Sequence, residues 1–511
     1  MWNDLWRKGR VVMFKKLSVL LIAFFLTGCS SVIYERSENT TYDYKLYFEN
    51  EDIDETYSDE EYIDITGDED ITINTSGTYV LSGELNGSVI VNSNGKVKLV
   101  LDGVTINSDD FAAIYIKECD KCTITLKDGS ENVLSDSSTY TLMDDNNVDA
   151  VIFSKCDLVF NGTGKLTVNA SYKHGIVSKD ELTFINGTYD VTSVSQGICG
   201  KDCLKVKDGT FTINSTKDAL KSNNEEEGRG YIYITGGTFN ISTSDDAITA
   251  YHDLIIDGGE INITNSYEGL ESSVITINDG NISIHSEDDC INAASKADDS
   301  STLKINGGTI YLNSEGDGID SNGDVYITGG TIFVEGPVSG GDAAFDYETA
   351  GYISGGEVLM IGQSSMAEGF NEDGSSQVSL LYNMTSSYFE GSTLKILVND
   401  EVLYDTTISK QFNSILVSSP SMEIGDVVTI QVNDDTYTYT LESTSNTYGN
   451  SGMNGGGMGG PNDDSFDPNN SEMDGQQPPD NSDMNGEKPN MGDFDGQTPP
   501  DKEDSSEGSA A

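Results

Sequence analysis

The residues of this chain with the clearest capacity for chemistry are carboxylates that recur at one fixed place in a repeated phrase. The phrase is an acidic residue, a small residue and an aliphatic residue, followed by a short strand, a glycine turn and another strand. Four clear copies and two looser ones carry the acid: Asp218-Ala219-Leu220, Asp246-Ala247-Ile248, Asp289-Cys290-Ile291 and Asp317-Gly318-Ile319, then Glu268-Gly269-Leu270 and Asp342-Ala343-Ala344. Acids that recur in register predict either a cation site, since calcium prefers oxygen ligands, or a strongly repulsive surface.

Glycines measure the period of this repeat, because each copy has a Gly at the second turn position, where a positive φ is readily adopted by Gly. They fall at Gly187, Gly209, Gly237, Gly259, Gly280, Gly308, Gly330 and Gly356. Successive glycines lie 21 to 28 residues apart. The repeating unit is therefore about 22 residues with insertions outside the core phrase, which is typical of a solenoid.

Apolar residues alternate with polar ones on both sides of each glycine turn. Leu254 and Ile256 precede one turn, and Ile261 and Ile263 follow it. Alternation of this kind indicates strands with one buried face. The residues after each acid, such as Ile319, supply a third short strand. Three strands per repeat without helical periodicity predict an all-β fold: a right-handed parallel β-helix solenoid with about 22 residues per coil.

The first segment of the chain has the features of a targeting signal. Lys15 and Lys16 precede an apolar run over residues 17–26, which ends shortly before Cys29. This pattern resembles a bacterial lipoprotein signal peptide over residues 1–28, with Cys29 as the lipidated residue and Met13 as the expected start. The run is too short for a membrane span, which needs roughly 20 residues. We therefore expect a lipid-anchored protein on the extracellular face of a bacterial membrane.

Composition divides the remainder of the chain into four segments. Residues 29–62 are polar and acidic and predict a linker, and residues 63–361 contain the β-helix. The repeated phrase stops after Gly362, so residues 362–446 are interpreted as a small C-terminal β cap. Residues 447–511 are rich in Gly, Met, Asn, Asp and Pro, a composition that predicts a disordered tail.

The strand-rich run over residues 71–136 and the later repeats together resemble a known family. The run opens with Ser-Gly-Thr-Tyr-Val-Leu-Ser-Gly at residues 76–83, and the later coils repeat Asp-Gly-Ile and Gly-Gly-Thr. Over residues 62–445 the chain resembles the bacterial lipoprotein family of calcium-binding parallel β-helix carbohydrate-binding domains, whose fold is similar to that of pectate lyases. The resemblance implies calcium held by Asp and Glu of the coils, and binding of plant cell-wall or other acidic polysaccharide without established catalysis.

Physical arguments point to the same cation. Neighbouring coils lie about 4.8 Å apart, and calcium binds oxygens at about 2.3–2.6 Å, so one ion can bridge two stacked carboxylates. The oxygen-rich surroundings favour calcium over zinc. His174 and Gln196 occupy the acid position of earlier copies, so the sites are expected only in later coils. The candidate ligands are Asp218, Asp245, Asp246, Glu268, Glu271, Asp288, Asp289, Asp317, Asp320, Asp342 and Asp346.

The formal net charge of −58 excludes nucleic acid as a partner, because phosphate recognition needs basic patches. The expected partner is a polysaccharide, with an acidic glycan favoured, and no catalytic residue is assigned. Two alternatives stay open: a calcium-dependent polysaccharide lyase of the pectate-lyase type, and a structural stalk or adhesin. A lyase would need a basic side chain to remove a proton. The lysines placed near the repeated acids are Lys173, Lys179, Lys217 and Lys221.

Six cysteines follow Cys29 in the sequence: Cys119, Cys122, Cys156, Cys199, Cys203 and Cys290. Most are expected to be small buried residues of the coils, as Cys290 is in its copy of the phrase. Cys119 and Cys122 have the Cys-x-x-Cys spacing, but no second pair accompanies them as a zinc site requires. The sequence leaves open whether any of the six form disulfides.

Overall fold

The computed structural model describes residues 42, 44–58, 60–141, 146–295 and 301–449. These residues form a parallel β-solenoid of about 12 turns with about 24 residues per turn. The part of the chain described contains one short helix, Asn50–Ile53. The predicted all-β solenoid is therefore confirmed. The mean turn exceeds 22 residues because four coils carry insertions, which follow Asp136, Ser222, Ala293 and Glu335.

One side of the solenoid is a parallel sheet with one short strand from each coil, which we call the eleven-stranded sheet. Its strands are Ile71–Ile73, Val89–Asn92, Ile114–Glu118, Ala150–Ser154, His174–Ser178, Ile198–Gly200, Leu220–Ser222, Ile248–Ala250, Leu270–Ser272, Ile291–Ala293 and Ile319–Ser321. These are the third strands that were predicted to follow the repeated acids. The acids therefore lie in the turns that immediately precede the strands of this sheet.

The other two sides belong to a 26-stranded sheet, in which two parallel ladders share the long strands Gly77–Leu85 and Val97–Ser108. Glu61–Asp64 pairs with the first of these two strands. The first ladder continues through Cys122–Leu126, Leu158–Asn161, Glu181–Phe184, Cys203–Val206, Tyr231–Ile234, Asp253–Ile256, Val274–Ile277, Ser301–Ile305, Gly323–Ile327 and Ala350–Ile353. The second continues through Glu131–Asp136, Lys165–Ala170, Thr188–Ser193, Thr210–Ser215, Thr238–Thr243, Glu260–Asn265, Asn281–Ser286, Thr309–Ser314, Thr331–Glu335 and Glu357–Gly362.

The last coil is closed by strands that have their own apolar core. Phe412–Ser418 pairs antiparallel with Glu357–Gly362 and with Ser379–Tyr388, and Ser379–Tyr388 pairs in parallel with Ser445–Gly449. A separate four-stranded sheet completes this cap: Glu401–Thr407, Thr393–Val398, Val427–Val432 and Asp435–Thr440. Because the final strand ends at Gly449, the folded part extends slightly beyond the expected boundary at residue 446.

Apolar side chains from all three faces fill the interior of the solenoid. Phe160 stacks on Phe184 and Phe211 stacks on Phe239, each pair with ring centroids 4.8 Å apart. All eight glycines that set the period of the repeat have φ between +89° and +132°. These turns therefore depend on glycine, because other residues rarely adopt such angles.

Residues 44–56, which we call the N-terminal strap, lie along the first ladder of the large sheet. The Tyr44 hydroxyl donates a hydrogen bond to Asp253 Oδ2 at 2.6 Å, and Phe48 stacks on Tyr233 with ring centroids 6.1 Å apart. Leu46 packs against the same apolar patch. The strap lies within the predicted linker of residues 29–62, so part of that segment belongs to the folded body. Its alternating apolar residues explain the difference, because they cover an apolar patch of the sheet.

The strap is also held by charge at its centre. The Lys121 ammonium group lies 2.9 Å from Glu49, 3.1 Å from Glu51 and 2.8 Å from Asp52. Asp52 is almost completely buried, and its main-chain oxygen accepts a hydrogen bond from Asn161 at 2.8 Å. The Lys121 side chain is therefore the main electrostatic anchor of the strap.

Several predictions concern parts of the chain outside the described residues. These are the signal segment 1–28, the lipidated Cys29 and the tail from residue 450 onward. Within the described residues, no helix has the length and the apolar character needed to span a membrane.

Candidate metal centre

The register of the eleven-stranded sheet places the middle residue of each strand in one column. Thr249 pairs with Glu271, Glu271 with Asn292, and Asn292 with Asp320. The flanking residues of each strand are buried in the solenoid, so the middle residue faces outward because side chains alternate along a strand. The acid of the repeated phrase lies three residues earlier, at the turn. Two acids of one copy thus face the same region.

The first acidic triad consists of Asp246, Glu268 and Glu271. Each offers one carboxylate oxygen, and these three oxygens lie within 4.8 Å of one another. Asp246 and Glu268 occupy the acid position of two successive coils, and Asp246 Oδ1 accepts a hydrogen bond from the Glu268 amide at 3.3 Å. The stacking of coils therefore brings together acids that are 22 and 25 residues apart in sequence.

The second acidic triad consists of Asp317, Asp320 and Asp346, again with oxygens within 4.8 Å of one another. Asp346 belongs to the next coil, where its amide donates to the Ile319 carbonyl at 2.8 Å. Glu271 and Asp320 are separated by two strand spacings, which corresponds to about 10 Å. The two triads therefore lie in one row along the solenoid axis.

Buried oxygens without partners surround the triads. Within the described residues, Thr249 Oγ1, Glu268 Oε2 and Asn292 Oδ1 are buried and accept no hydrogen bond. The Asn292 amide nitrogen donates to the other Glu268 oxygen at 3.0 Å, which leaves the Asn292 carbonyl oxygen available. An unsatisfied buried polar atom costs about 1–3 kcal/mol. Carboxylate and amide oxygens are the donor set of calcium sites, so the residues present fit that ion.

Electrostatics within the first triad favour a cation. Burial, followed by repulsion from Glu271 and Asp218, raises the pKa of Asp246 to about 7. Burial and the Glu271 charge likewise raise the pKa of Glu268 to about 8. Two carboxylates 4.8 Å apart repel by about 3.5 kcal/mol at an effective dielectric constant of 20. A divalent cation would remove this repulsion.

The second triad and its neighbour show the same pattern. Burial raises the pKa of Asp317 to about 8, with additional repulsion from Asp289 and Asp346. Burial and the Asp346 charge raise the pKa of Asp320 to about 6. Burial also raises the pKa of Asp289 to about 7, although the Asp317 amide donates to Asp289 Oδ1 at 2.6 Å. Asp289 thus lies between the two triads and adds to their negative potential.

Glu368 is an acid of this region that the sequence analysis missed. Burial and repulsion from Asp346 raise the pKa of Glu368 to about 7. Its Oε2 atom is buried and, among the described residues, accepts no hydrogen bond. The sequence does contain a signal for this residue, because Glu368-Gly369-Phe370 follows the same acid–small–apolar pattern as Glu268-Gly269-Leu270. The acid repeat therefore continues one copy beyond the point at which we expected it to stop.

Four other predicted ligands have partners outside the triads. Asp218 Oδ2 accepts from Lys221 at 2.7 Å, and Asp245 Oδ2 accepts from Lys217 at 2.8 Å. Asp342 Oδ2 accepts from the Ser339 hydroxyl at 2.6 Å, and Asp288 is hydrogen-bonded by the Tyr267 hydroxyl.

In the earlier copies, His174 Nδ1 accepts from the Gln196 amide at 3.2 Å, as a hydrogen bond at the coil edge. Glu49, Glu51 and Asp52 form a third acidic group, whose centre is occupied by the Lys121 ammonium group.

The raised pKa values predict that the calcium-free protein becomes more stable as the pH falls from about 8 to about 5. Asp246, Glu268 and Asp317 have folded-state pKa values of about 7, 8 and 8, above the values near 4 of an unfolded chain. Between these limits the folded state binds more protons, so acidification stabilises it. Thermal unfolding in chelator across this range measures the effect. A melting temperature that falls steadily from pH 8 to pH 5 would contradict it.

Comparison with known proteins identifies the family. A family described as carbohydrate-binding domain-containing protein matches residues 67–298 and 272–458, which is more than half of the chain. A carbohydrate-binding domain-containing protein of Acetivibrio thermocellus (strain ATCC 27405) is 34% identical over 180 residues, and the match spans 34% of this chain and 62% of that relative.

A solved structure is also similar: the polysaccharide lyase-like protein from C. thermocellum, as a gadolinium derivative, at 28% identity with a TM-score of 0.39. The match covers 48% of this chain and 96% of that one. On the extent of the family match, this chain belongs to the family of carbohydrate-binding domain-containing proteins.

Proposed function

We propose that this protein is a cell-surface lipoprotein that binds an acidic polysaccharide, such as a polyuronate or a cell-wall glycan, through calcium ions held by the two acidic triads. The observation that carries the proposal is the row of two triads on one sheet face, with buried oxygens left unpartnered beside them. Membership of a carbohydrate-binding family supports the glycan as partner. The lipoprotein-like sequence that ends at Cys29 supports the location.

Calcium is the cation that the donor set favours. The first triad supplies three carboxylates, and Asn292 and Thr249 add neutral oxygens, which together approach the six to eight ligands of a calcium site. The second triad would be completed by Glu368. Zinc sites are built mainly from His and Cys ligands, and both triads consist of Asp and Glu alone. When bound, calcium would neutralise the acids and offer its remaining coordination positions to an anionic ligand.

A strongly acidic protein needs such ions to bind an acidic glycan. With a formal net charge of −58, the protein repels polyuronates unless cations lie between them. Two sites spaced by about 10 Å along the solenoid axis match a linear polymer that carries carboxylates at regular intervals. A single monosaccharide would engage one site only, so the polymer is expected to bind more tightly.

Binding without cleavage is favoured by the state of the nearby lysines. Lys217 and Lys221 donate to Asp245 and Asp218, and Lys173 lies 3.7 Å from Asp149. Lys179 lies 5.1 Å from the centre of the Phe153 ring. Each of these amines already has a carboxylate or aromatic partner. None of the four is therefore positioned as an unpartnered base of the kind that a lyase reaction requires.

The experiment is affinity electrophoresis or calorimetry with polygalacturonate and with a neutral glucan, each in calcium and in chelator. We expect binding of the acidic polymer in calcium alone. The double variant Glu268→Gln/Asp317→Asn should lose this binding, whereas Glu260→Gln, which removes an exposed charge on the opposite sheet, should retain it. Calcium-dependent stabilisation without binding to any glycan would favour the stalk, and ultraviolet absorbance from an unsaturated uronate product would favour the lyase.

A further inference from the structure

Two cysteines of neighbouring coils lie in direct contact. Cys119 follows the strand Ile114–Glu118 and Cys156 follows Ala150–Ser154, and these two strands pair in parallel. The Sγ atoms of Cys119 and Cys156 are 2.6 Å apart. A disulfide bond of about 2.05 Å therefore needs only a small movement. The stacking of one coil on the next has already brought the two side chains together.

The turn that carries Cys156 is held in this position by hydrogen bonds. The Ser154 hydroxyl donates to the Cys156 carbonyl at 2.7 Å, and the Cys156 amide donates to Ser154 Oγ at 3.2 Å. The Ser178 hydroxyl of the next coil donates to the same carbonyl at 3.1 Å. Cys119 is partly exposed, so a small oxidant can reach the pair. A hydrogen bond from the Cys119 thiol lowers the pKa of Cys156 and thereby favours its thiolate.

We propose that Cys119 and Cys156 form a disulfide bond in an oxidising environment, where it cross-links two successive coils. The oxidant is a low-molecular-weight disulfide. The Cys156 thiolate attacks one of its sulfur atoms, forms a mixed disulfide and releases one thiolate. The Cys119 thiolate then attacks Cys156 Sγ and releases the second. Two cysteine thiols are oxidised, the small disulfide is reduced to two thiols, and these take up the two protons.

The cross-link acts next to the anchor of the N-terminal strap. Lys121 lies two residues after Cys119, and its ammonium group binds Glu49, Glu51 and Asp52 of the strap. Its carbonyl accepts a hydrogen bond from the Val97 amide of the preceding coil at 3.0 Å. A bond between Cys119 and Cys156 would therefore attach the turn that holds Cys119 and Lys121 to the following coil, while the hydrogen bond from Val97 attaches it to the preceding one. Oxidation is therefore expected to hold the strap more firmly as well as to stabilise the coils.

Peptide mapping tests the pairing directly. Trypsin cleaves after Lys117, Lys121 and Lys155, so Cys119, Cys122 and Cys156 fall in separate peptides. The protein is oxidised with glutathione disulfide, its free thiols are alkylated, and it is digested without reductant. We expect residues 118–121 linked to residues 156–165, with a mass two hydrogens below the sum of the two peptides. A Cys122 peptide linked to either partner, or complete alkylation of Cys119 and Cys156, would overturn the proposal.

Variants test the effect on stability. Cys119→Ser and Cys119→Ser/Cys156→Ser should lower the melting temperature of the oxidised protein equally, by about 5 °C. In reductant, the variants and the unsubstituted protein should have the same melting temperature. If serine acted only by disturbing the packing, the melting-temperature difference would persist in reductant. Cys290→Ser, in a buried position of a distant coil, should lower the melting temperature equally under both conditions. A loss that is the same with and without reductant in the Cys119 variant contradicts the cross-link.

Discussion

Replacing Glu268 by Gln is expected to stabilise the calcium-free protein and to destabilise the protein in calcium. Without the ion, Glu268 is half-buried beside the charge of Glu271, and its pKa is raised to about 8. Gln has a similar shape without the charge. We expect the free energy of unfolding at pH 7.5 to rise by about 2 kcal/mol. This gain is smaller than the repulsion energy of two unscreened carboxylates, because the triad is only partly buried and water screens its charges.

In calcium the sign should reverse. Saturation of one site at a hundred times its dissociation constant stabilises the folded state by about 2.7 kcal/mol. Glu268→Gln removes a charged ligand from the first triad, so this stabilisation should largely disappear for that site. Denaturant unfolding of each variant, in calcium and in chelator, measures both terms. Asp317→Asn should behave in the same way through the second triad.

The matched control is Glu260→Gln, which removes the same charge from the same coil at an exposed position. It should shift stability by less than about 0.5 kcal/mol in both conditions. If Glu268→Gln also lowers the stability of the calcium-free protein, Glu268 is held by hydrogen bonds rather than strained by repulsion. The metal centre would then lose its main physical argument.

Replacing Lys121 by Met is expected to release the N-terminal strap. The substitution leaves the Asp52 carboxylate buried without its ammonium partner, in a position where Glu49 and Glu51 add to the negative charge. Breaking a buried ion pair by removing one partner costs about 3–5 kcal/mol. The strap can avoid this cost by detaching into water, so the effect should appear as local opening. Hydrogen exchange of the amides of residues 44–56 measures it.

Lys96→Met provides the control within the same network. The Lys96 ammonium group lies 2.6 Å from Glu51, but its side chain is 60% exposed. An exposed ion pair contributes about 0–1 kcal/mol, so the strap should stay protected in this variant. Equal exchange rates of the strap amides in the Lys121 and Lys96 variants would show that apolar contacts, rather than the Lys121 centre, hold the strap.

The solenoid itself could be predicted because its sequence signals are local and repeated. Gly259 and its equivalents fix the turns, and the alternation of Leu254 and Ile256 marks the strand before one of them. Each coil contacts mainly its neighbours, so a local error does not spread through the prediction. The strap was missed for the opposite reason. Its partner Tyr233 lies 185 residues beyond Phe48, and an acidic, polar composition concealed three alternating apolar residues.

The acids of the candidate centre could be predicted as a class, but their grouping could not. Asp218 and Asp246 occupy equivalent positions in the phrase, yet Asp218 pairs with Lys221 while Asp246 joins Glu268 and Glu271. The difference depends on the residue three positions after the acid, which is Lys221 for Asp218 but the neutral Thr249 for Asp246. Asn292 and Thr249 were missed because neutral residues become candidate ligands only when register places them beside the acids.

The path of the N-terminal strap determines how the protein responds to mechanical force. The strap runs back over the coils, so that Tyr44 contacts Asp253, Phe48 contacts Tyr233 and Asp52 contacts Lys121. Tension applied at the N-terminal end reaches these contacts one at a time, in that order, and breaks each before the next is loaded. The strap therefore yields before load passes to the strand pairing of the first coils, and its detachment lengthens the molecule while the solenoid stays folded.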